Sequence, residues 1–369
     1  MKICHVINDL SRGGAESHLY SLVKLQHEAG HQVSAMLLGR DLKNFLSLEE
    51  NFREMDIEII RFRGPKKLQG FNPVSIIAAT KYFSKNKFDI VHSHSPRSDF
   101  LTYMSHLFLP KACKWVVTVH GKYGTYLDGS KVIDIFRKLG IRILSRLWSR
   151  TDTIIVISES IKEWMSLLNK NLVPEVIPYG INVQKKIEYE SLDELKIGFL
   201  GRLNPNKGIE DLINVFMSIK NQDIATSINP KLLIGGVGSD SYEKKLKHLA
   251  NDEDVDFLGY VSDRREFFSS INLFIFTSYS EGLGLALLEA MSYGLVCIAR
   301  DIDPMNKIII NKENGYLFSD NEELEKIIHS IQVKDNEDIK GVMNSALKTI
   351  DNSYSIIHMY SRIEKLYST

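Results

Sequence analysis

Two periodicities alternate along the chain. Short runs rich in Val and Ile, with little polar alternation, give way to longer stretches in which apolar residues return every three or four positions. The first kind reads as strands of a sheet covered on both faces, the second as amphipathic helices. Strands are predicted at 2–7, 32–38, 57–61, 89–94, 115–120, 153–157 and 175–178, with helices at 15–29, 73–84 and 133–148 among them. A polar, charged stretch without periodicity follows at 180–191. The pattern then restarts, with strands at 195–200, 231–234, 255–258, 273–276 and 296–299. Strands alternating with helices predict βαβ units. The expected fold class is therefore α/β, with two Rossmann-like doubly wound domains at 1–183 and 184–351. A closing helical segment, 350–367, lies beside no predicted strand. It is expected to return to the first domain, its helix at about 352–369. Ligands of such sheets bind beyond the carboxyl ends of the strands. That predicts a site in a cleft between the domains, with a hinge at 180–191.

The 369 residues are 44% hydrophobic and 25% charged, a soluble globular composition. No run approaches the roughly 20 apolar residues of a membrane span. The first apolar run meets Asn8 and Asp9 at once, too early for a signal peptide. Cys4, Cys113 and Cys297 have neither disulfide-framework nor metal-ligand spacing, so a reducing cytoplasm is expected. The formal net charge of zero conceals an asymmetry. Residues 1–190 hold 27 Lys and Arg against 19 Asp and Glu, and the remainder reverses those numbers. Only the first half is thus suited to an anionic partner. Lys138, Arg142, Arg146 and Arg150 recur every four residues beside Ile135, Phe136, Leu139, Ile143, Leu147 and Trp148. This pattern in 131–150 fits either a helix on an anionic membrane surface or a core-packed helix with a solvated basic face.

Candidate chemistry gathers at predicted strand ends. The segment Ser278-Tyr279-Ser280-Glu281-Gly282-Leu283-Gly284-Leu285, leading through Glu289, follows one strand and opens a helix. Its glycines permit close backbone approach, and a helix start offers free amides to a phosphate. Glu281 and Glu289, eight positions apart, would lie about 12 Å apart on a helix, too far for a glycosidase pair. Gly201-Arg202-Leu203-Asn204-Pro205-Asn206-Lys207-Gly208 likewise follows a strand, and its two cations could hold a diphosphate. Near the start, Gly13 and Gly14 follow the first strand without the spacing of a dinucleotide-binding turn, which disfavours a nicotinamide enzyme. His120 stands at the carboxyl end of the fifth strand. Two Asp-x-Asp triplets, Asp254–Asp256 and Asp301–Asp303, lack the further ligands of a cation site, and no metal is expected. Aromatics do not interleave with the basic stretch, so nucleic acid is disfavoured.

Taken in order, these segments resemble family 4 of the retaining glycosyltransferases, which have the GT-B fold. The likeness rests on Gly13-Gly14-Ala15-Glu16, His120, Pro178-Tyr179-Gly180-Ile181-Asn182, Gly201-Arg202 with Lys207-Gly208, Gly236-Val237-Gly238, Phe257-Leu258-Gly259-Tyr260-Val261, and Glu281 with Glu289. It implies a metal-independent, cofactor-free hexosyltransferase of the kind that builds bacterial surface polysaccharides or lipid-linked glycans. The donor would be a nucleotide-diphosphate sugar, UDP favoured over GDP, and the acceptor a glycan or lipid-linked sugar. The enzyme would be cytoplasmic, or peripheral on the inner face of the membrane. In that likeness Arg202 and Lys207 grip the diphosphate, and Glu289 binds the ribose. Glu281 with the Gly284–Leu285 backbone faces the sugar and phosphate, and Gly259, Tyr260 and Val261 line the base. Gly236 and Gly238 join the donor site, His120 touches the sugar, and Gly13 and Gly14 border phosphate and acceptor. Asn182 stands where an aspartate is common, and Arg300-Asp301-Ile302-Asp303-Pro304-Met305 departs from the usual glycine pair and later glutamate. A nucleotide-sugar epimerase of the same fold, or a catalytically silent GT-B binding subunit, is the alternative.

Overall fold

A computed structural model describes residues 1–11, 13–39, 47–61, 73–109, 112–123, 131–184, 195–222, 230–251, 253–332 and 336–369. Side chains of 131–138, 222, 332 and 336 lie outside that description. The chain divides into two compact units, Met1–Gly180 with Ile356–Thr369, and Ile181–Ser355. The divisions fall at 180/181 and 355/356, where the sequence pattern suggested 183/184 and 351/352.

The first unit runs β1 (Lys2–Ile7), α1 (Gly14–Glu28), β2 (Gln32–Leu37), α2 (Glu49–Glu54), β3 (Glu58–Arg61), α3 (Pro73–Asn86), β4 (Ile90–Ser93), α4 (Pro96–His106), β5 (Lys114–Val119), α5 (Lys131–Trp148), β6 (Thr153–Val156), α6 (Glu159–Leu168) and β7 (Glu175–Val176). Its seven strands lie in the order β3-β2-β1-β4-β5-β6-β7. Every pairing is parallel. The central strands β1, β4 and β5 are buried along nearly their whole length because helices cover both faces, whereas the edge strands β3 and β7 are not. Helix α4 starts sharply: Pro96 occupies the first turn, and Ser95 and Ser98 form a reciprocal capping box. The fully buried Trp148 of α5 donates its indole N–H to Asp99 of α4 at 3.0 Å. Truncating such a side chain costs about 3–5 kcal/mol.

The second unit runs β8 (Lys196–Leu200), α7 (Ile209–Gln222), β9 (Lys231–Gly235), α8 (Asp240–Ala250), β10 (Val255–Gly259), α9 (Arg264–Ser269), β11 (Leu273–Phe276), α10 (Leu285–Ser292), β12 (Val296–Arg300), α11 (Met305–Ile308), β13 (Tyr316–Phe318), α12 (Asn321–Gln332) and α13 (Asn336–Ser353). Its parallel sheet has the order β10-β9-β8-β11-β12-β13. Each sheet reverses strand order once, between β1 and β4 and between β8 and β11. Such a switch point opens a crevice at the strands' carboxyl ends. The doubly wound α/β fold class thus holds for both halves.

Two details differ from the sequence expectation. Strand β13 was not foreseen, because three residues carry too little pattern. The closing segment 350–367 is not one helix: α13 ends at Ser353 and α14 (Ile356–Ser368) begins after a break. At the break, Ile181 donates its amide to the Tyr354 carbonyl at 2.7 Å and bridges Ser355. Helix α14 packs on the first unit's sheet, where Ile356, Met359, Ile363 and Tyr367 join Ile3, Ile90 and Val116 in one core.

Candidate functional site

In the second unit the carboxyl ends of three neighbouring strands, β8, β9 and β10, are stitched together by their own backbone. Gly201 donates its amide to the Gly235 carbonyl at 3.0 Å, Leu203 to Val237 at 2.9 Å, and Gly236 to Gly259 at 2.7 Å. This approach explains the glycines. A methyl group on Gly236, whose φ is 143°, would lie 1.8 Å from the Gly201 carbonyl oxygen. One on Gly238 would lie 2.3 Å from that of Leu203. Gly259, also at positive φ, meets no such obstacle, and Tyr260 and Val261 follow it half-buried. Packing alone therefore accounts for glycine at 236 and 238.

The turn after β8 is bound to the loop after β11. The Thr277 hydroxyl donates to the Lys207 carbonyl at 2.8 Å, and the Tyr279 amide to the Asn206 carbonyl at 2.9 Å. The Asn206 side-chain amide reaches the Ser280 carbonyl at 3.0 Å. These bonds set the Lys207 ammonium against the Glu281 carboxylate in an ion pair, both side chains largely shielded. The same ammonium stands 5.9 Å from the centre of the Phe276 ring. Arg202, by contrast, is exposed and makes no ion pair with a described residue. Beyond Glu281, Gly284 caps α10 in the left-handed conformation, where a methyl group would strike Met305 at 2.6 Å. Helices α7, α8 and α9 carry acids in their first turns, but α10 carries none. Its leading amides, beginning at Leu285, keep their positive end uncompensated. Glu289, further along α10, lies 3.7 Å from Arg264. Burial raises its carboxyl above the usual range, and Arg264 opposes that shift.

Sequence reasoning noted a third element of this edge only as a departure from the family pattern and gave it no role. Arg300, buried at the end of β12, donates to the Thr277 carbonyl at 3.1 Å and to Asp211 of α7 at 2.5 Å. Its guanidinium lies between the rings of Tyr279 and Phe318, at 4.5 and 4.9 Å. Tyr279 in turn donates its hydroxyl to Asp211 at 2.6 Å. The departure from the family pattern at 300 thus braces the β11 loop. Of the Asp-x-Asp triplets, Asp254 pairs with Lys220, Asp301 accepts from Asn306, and Asp303 pairs with Lys307.

The first unit builds its edge chiefly from neutral histidines, with Glu16 in the first turn of α1 the acid near them. Gly13 caps α1 with no side-chain bond, and Gly14 opens that helix. His120, just past β5, is half-buried, and both ring nitrogens are engaged: Nδ1 with the Tyr179 hydroxyl at 2.7 Å, Nε2 with His94 Nδ1 at 3.2 Å. His94 Nε2 meets His5 Nδ1 at 3.0 Å, and His5 Nε2 meets the Gln26 carbonyl oxygen at 2.8 Å. A side branch joins His92 to Tyr367 at 2.6 Å and to Thr118 at 2.7 Å. Burial lowers His120 to about 3 and His5 to about 4, and takes His18, His92 and His94 well below the ordinary value. Among the described residues, His5, His92 and His94 form the one cluster with metal-ligand spacing. Each of their six ring nitrogens already has a hydrogen-bond partner. The sequence offered only faint signals of this network: a histidine inside an apolar first strand, and His-x-His closing the fourth.

Comparison with known proteins follows the same division. Residues 12–185 match the family model Glycosyltransferase Family 4. Residues 181–342 match Glycosyl transferases group 1. The chain is 24% identical over 326 residues, 80% of each chain, to the capsular polysaccharide biosynthesis glycosyltransferase CapM of Staphylococcus aureus. It is 26% identical over 313 residues, 79% of this chain and 78% of the relative, to the UDP-Gal:alpha-D-GlcNAc-diphosphoundecaprenol alpha-1,3-galactosyltransferase of Escherichia coli. Among solved structures, Anabaena Alr3699/HepE in complex with UDP superposes with a TM-score of 0.82 at 17% identity, covering 100% of both chains. S. aureus TarM superposes with a TM-score of 0.77 at 14% identity, over 100% of this chain and 99% of the other. At such identities these two structures establish the fold.

Proposed function

The chain belongs to the GT-B glycosyltransferases, with a Family 4 amino-terminal domain and a group 1 carboxy-terminal domain, and from this premise we propose how it works. It moves a hexose or N-acetylhexosamine from a nucleotide-diphosphate sugar to a glycan or lipid-linked acceptor in surface polysaccharide synthesis. The anomeric configuration is retained. The observation that carries the reading is the pairing of Lys207 with Glu281 beside a helix start that lacks an acid of its own. A donor diphosphate supplies the missing negative charge. Lys207 and Arg202 hold it, and the α10 amides stabilise the charge that builds as it leaves. These fixed cations do the work of a divalent metal, so none is required. Glu289 takes the ribose, and Gly259, Tyr260 and Val261 receive the base. No side chain attacks the sugar. The acceptor hydroxyl approaches the face from which the diphosphate departs, and a leaving phosphate oxygen takes its proton. Catalysis is then positioning and charge stabilisation.

UDP is favoured over GDP because the structurally similar HepE is complexed with UDP and UDP-glucose, and the E. coli relative is named for UDP-Gal. Thermal shift with UDP- and GDP-sugars tests the donor. A specific ligand at a hundredfold its Kd stabilises by about 2.7 kcal/mol. No shift with any nucleotide would overturn the assignment, and nucleotide release without an acceptor would favour an epimerase.

A lipid-linked acceptor also calls for access to a membrane. No described helix is long and apolar enough to cross one. On α5, Leu139 and Ile143 are 53% and 45% exposed beside exposed Arg142, Arg146 and Arg150. The remaining side chains of the basic stripe, at 131–138, lie outside the described residues, as does most of the 180–191 hinge. This face suits peripheral binding to anionic lipid at the inner membrane surface. Failure to float with anionic vesicles at low salt would remove the membrane from the proposal.

A further inference from the structure

The histidine network of the first unit has a direction, and one amide sets it. The Gln26 oxygen can only accept, so the His5 Nε2 that meets it must carry a proton. A neutral His5 then has a bare Nδ1, which requires His94 to donate from Nε2. His94 Nδ1 is then bare and requires His120 to donate from Nε2. His120 Nδ1 finally accepts the Tyr179 hydroxyl proton. The same amide turns its NH2 toward the Tyr367 hydroxyl at 3.5 Å, leaving that hydroxyl to donate to His92 Nδ1 and His92 Nε2 to donate to Thr118. Rotating the Gln26 amide by half a turn would reverse every tautomer in both branches. The network therefore has two self-consistent states, and the orientation of one buried side chain separates them.

We propose that Gln26, on α1, is a positioning residue. It holds His5, His94 and His120 each as the Nε2–H tautomer, so that their ring dipoles align, each electron-rich Nδ1 pointing along the series from Gln26 to the Tyr179 hydroxyl. The alignment fixes the sign of the field that the series makes at His120. The inference rests on the reading in which the sugar reacts beside His120. Gln26, His5 and His92 are fully buried, and the chain emerges only at half-buried His120. Hydrogen-bonded groups in series polarise one another, and preorganised dipoles aimed at developing charge need no reorganisation during reaction. Both ring nitrogens of His120 are occupied, so it acts through its field and fixed ring plane rather than by exchanging a proton. Tyr179 is kept protonated by its burial, which suits its place as first donor of the series.

Long-range 1H–15N spectra of histidine-labelled full-length protein at pH 7.5 read the tautomers directly, and no variant need fold for that measurement. Loss of one signal set in a His120→Gln sample identifies His120. The Nε2–H pattern at His5, His94 and His120 is the expected result. An Nδ1–H pattern, or a mixture of the two forms, would overturn the proposal. Tyr179→Phe removes the outer donor but leaves the directing amide, so His120 stays Nε2–H; a mixed His120 would place the control at the other end. Gln26→Leu removes the directing acceptor. It should mix the tautomers and lower kcat roughly tenfold at unchanged donor KM, as expected when only a transition-state interaction is lost. Unaltered tautomers, or a change confined to KM, would count against the idea. Failure of the donor reading itself would appear separately, as absent nucleotide binding with the tautomers intact.

Discussion

The two units share one architecture and furnish its carboxyl edge with opposite chemistry. In the first, four buried histidines and half-buried His120 are held without charge, three of the five hydrogen-bonded in series. In the second, the corresponding edge is held by ion pairs: Lys207 with Glu281, Arg300 with Asp211, Glu289 with Arg264. Neutral imidazoles can be buried at tolerable cost when their nitrogens are satisfied, as those of His5, His92, His94 and His120 are; His18 Nδ1 has no partner among the described residues. Formal charges survive only where solvent or a partner is near, and the second unit leaves its charged groups partly exposed. A charged, partly open edge suits a diphosphate; a neutral, closed one suits the uncharged part of a substrate.

Acid should separate the units most strongly. The histidines of the first unit have folded values below the ordinary 6.5, so the unfolded chain binds more protons as pH falls through that value. Their contribution is complete above pH 6.5 and is lost toward pH 4. His5 and His120 alone lose about 4 kcal/mol between them by pH 5, and His18, His92 and His94 add to that loss. Hydrogen exchange at pH 5 should then find the first unit open while the second, whose edge is held by ion pairs rather than by buried histidines, remains protected. Equal protection would break the contrast.

Lys207→Ala comes next. Turnover should fall on the order of 10²–10³, the scale for one charge-stabilising donor. The loss should appear in nucleotide release with the fold intact. His120→Gln, which removes no formal charge, should cost less. Reversal of that order would move the electrostatic centre to the first unit.

Arg300→Met keeps the aliphatic packing but strands Asp211 and frees Tyr279. It should destabilise the second unit by about 2–3 kcal/mol in urea melts, below the usual cost of breaking a fully buried pair because Asp211 is partly exposed. An unchanged midpoint would show the brace to be idle.

The smallest effect concerns Asp99, whose buried carboxyl in the first unit is pushed up to about 7 from 3.8. A raised acid costs nothing while both states are protonated; stability declines as pH rises from about 4 to 7 and then stays low. Asp99→Asn keeps an acceptor for Trp148 and removes the charge. It should raise stability by about 1–2 kcal/mol at pH 8 and leave it unchanged near pH 4. A gain equal at both pH values would assign the effect to packing.

Much of this was legible from the chain. Periodicity alone located twelve strands and their alternation with helices, because burial on both faces forces apolar runs of a characteristic length. Glycine and charge at strand ends marked 201–208 and 281–289 as chemistry, since only a close backbone approach demands such residues there. Strand β13 was too short to leave a pattern, and the continuous helical signal across 350–367 hid the break at 354–355.

Local physics, written residue by residue, determined the fold class and the positions of Lys207, Glu281 and the glycine turns. Only the tertiary structure decided that His5, Gln26, His94 and His120, drawn from the inside of one strand, a helix and two strand ends, share one hydrogen-bond series, or that Arg300 reaches Asp211. These pairings span tens of positions, and sequence spacing carries no information about which buried polar groups must satisfy one another. That matching is imposed when the sheet closes and water leaves.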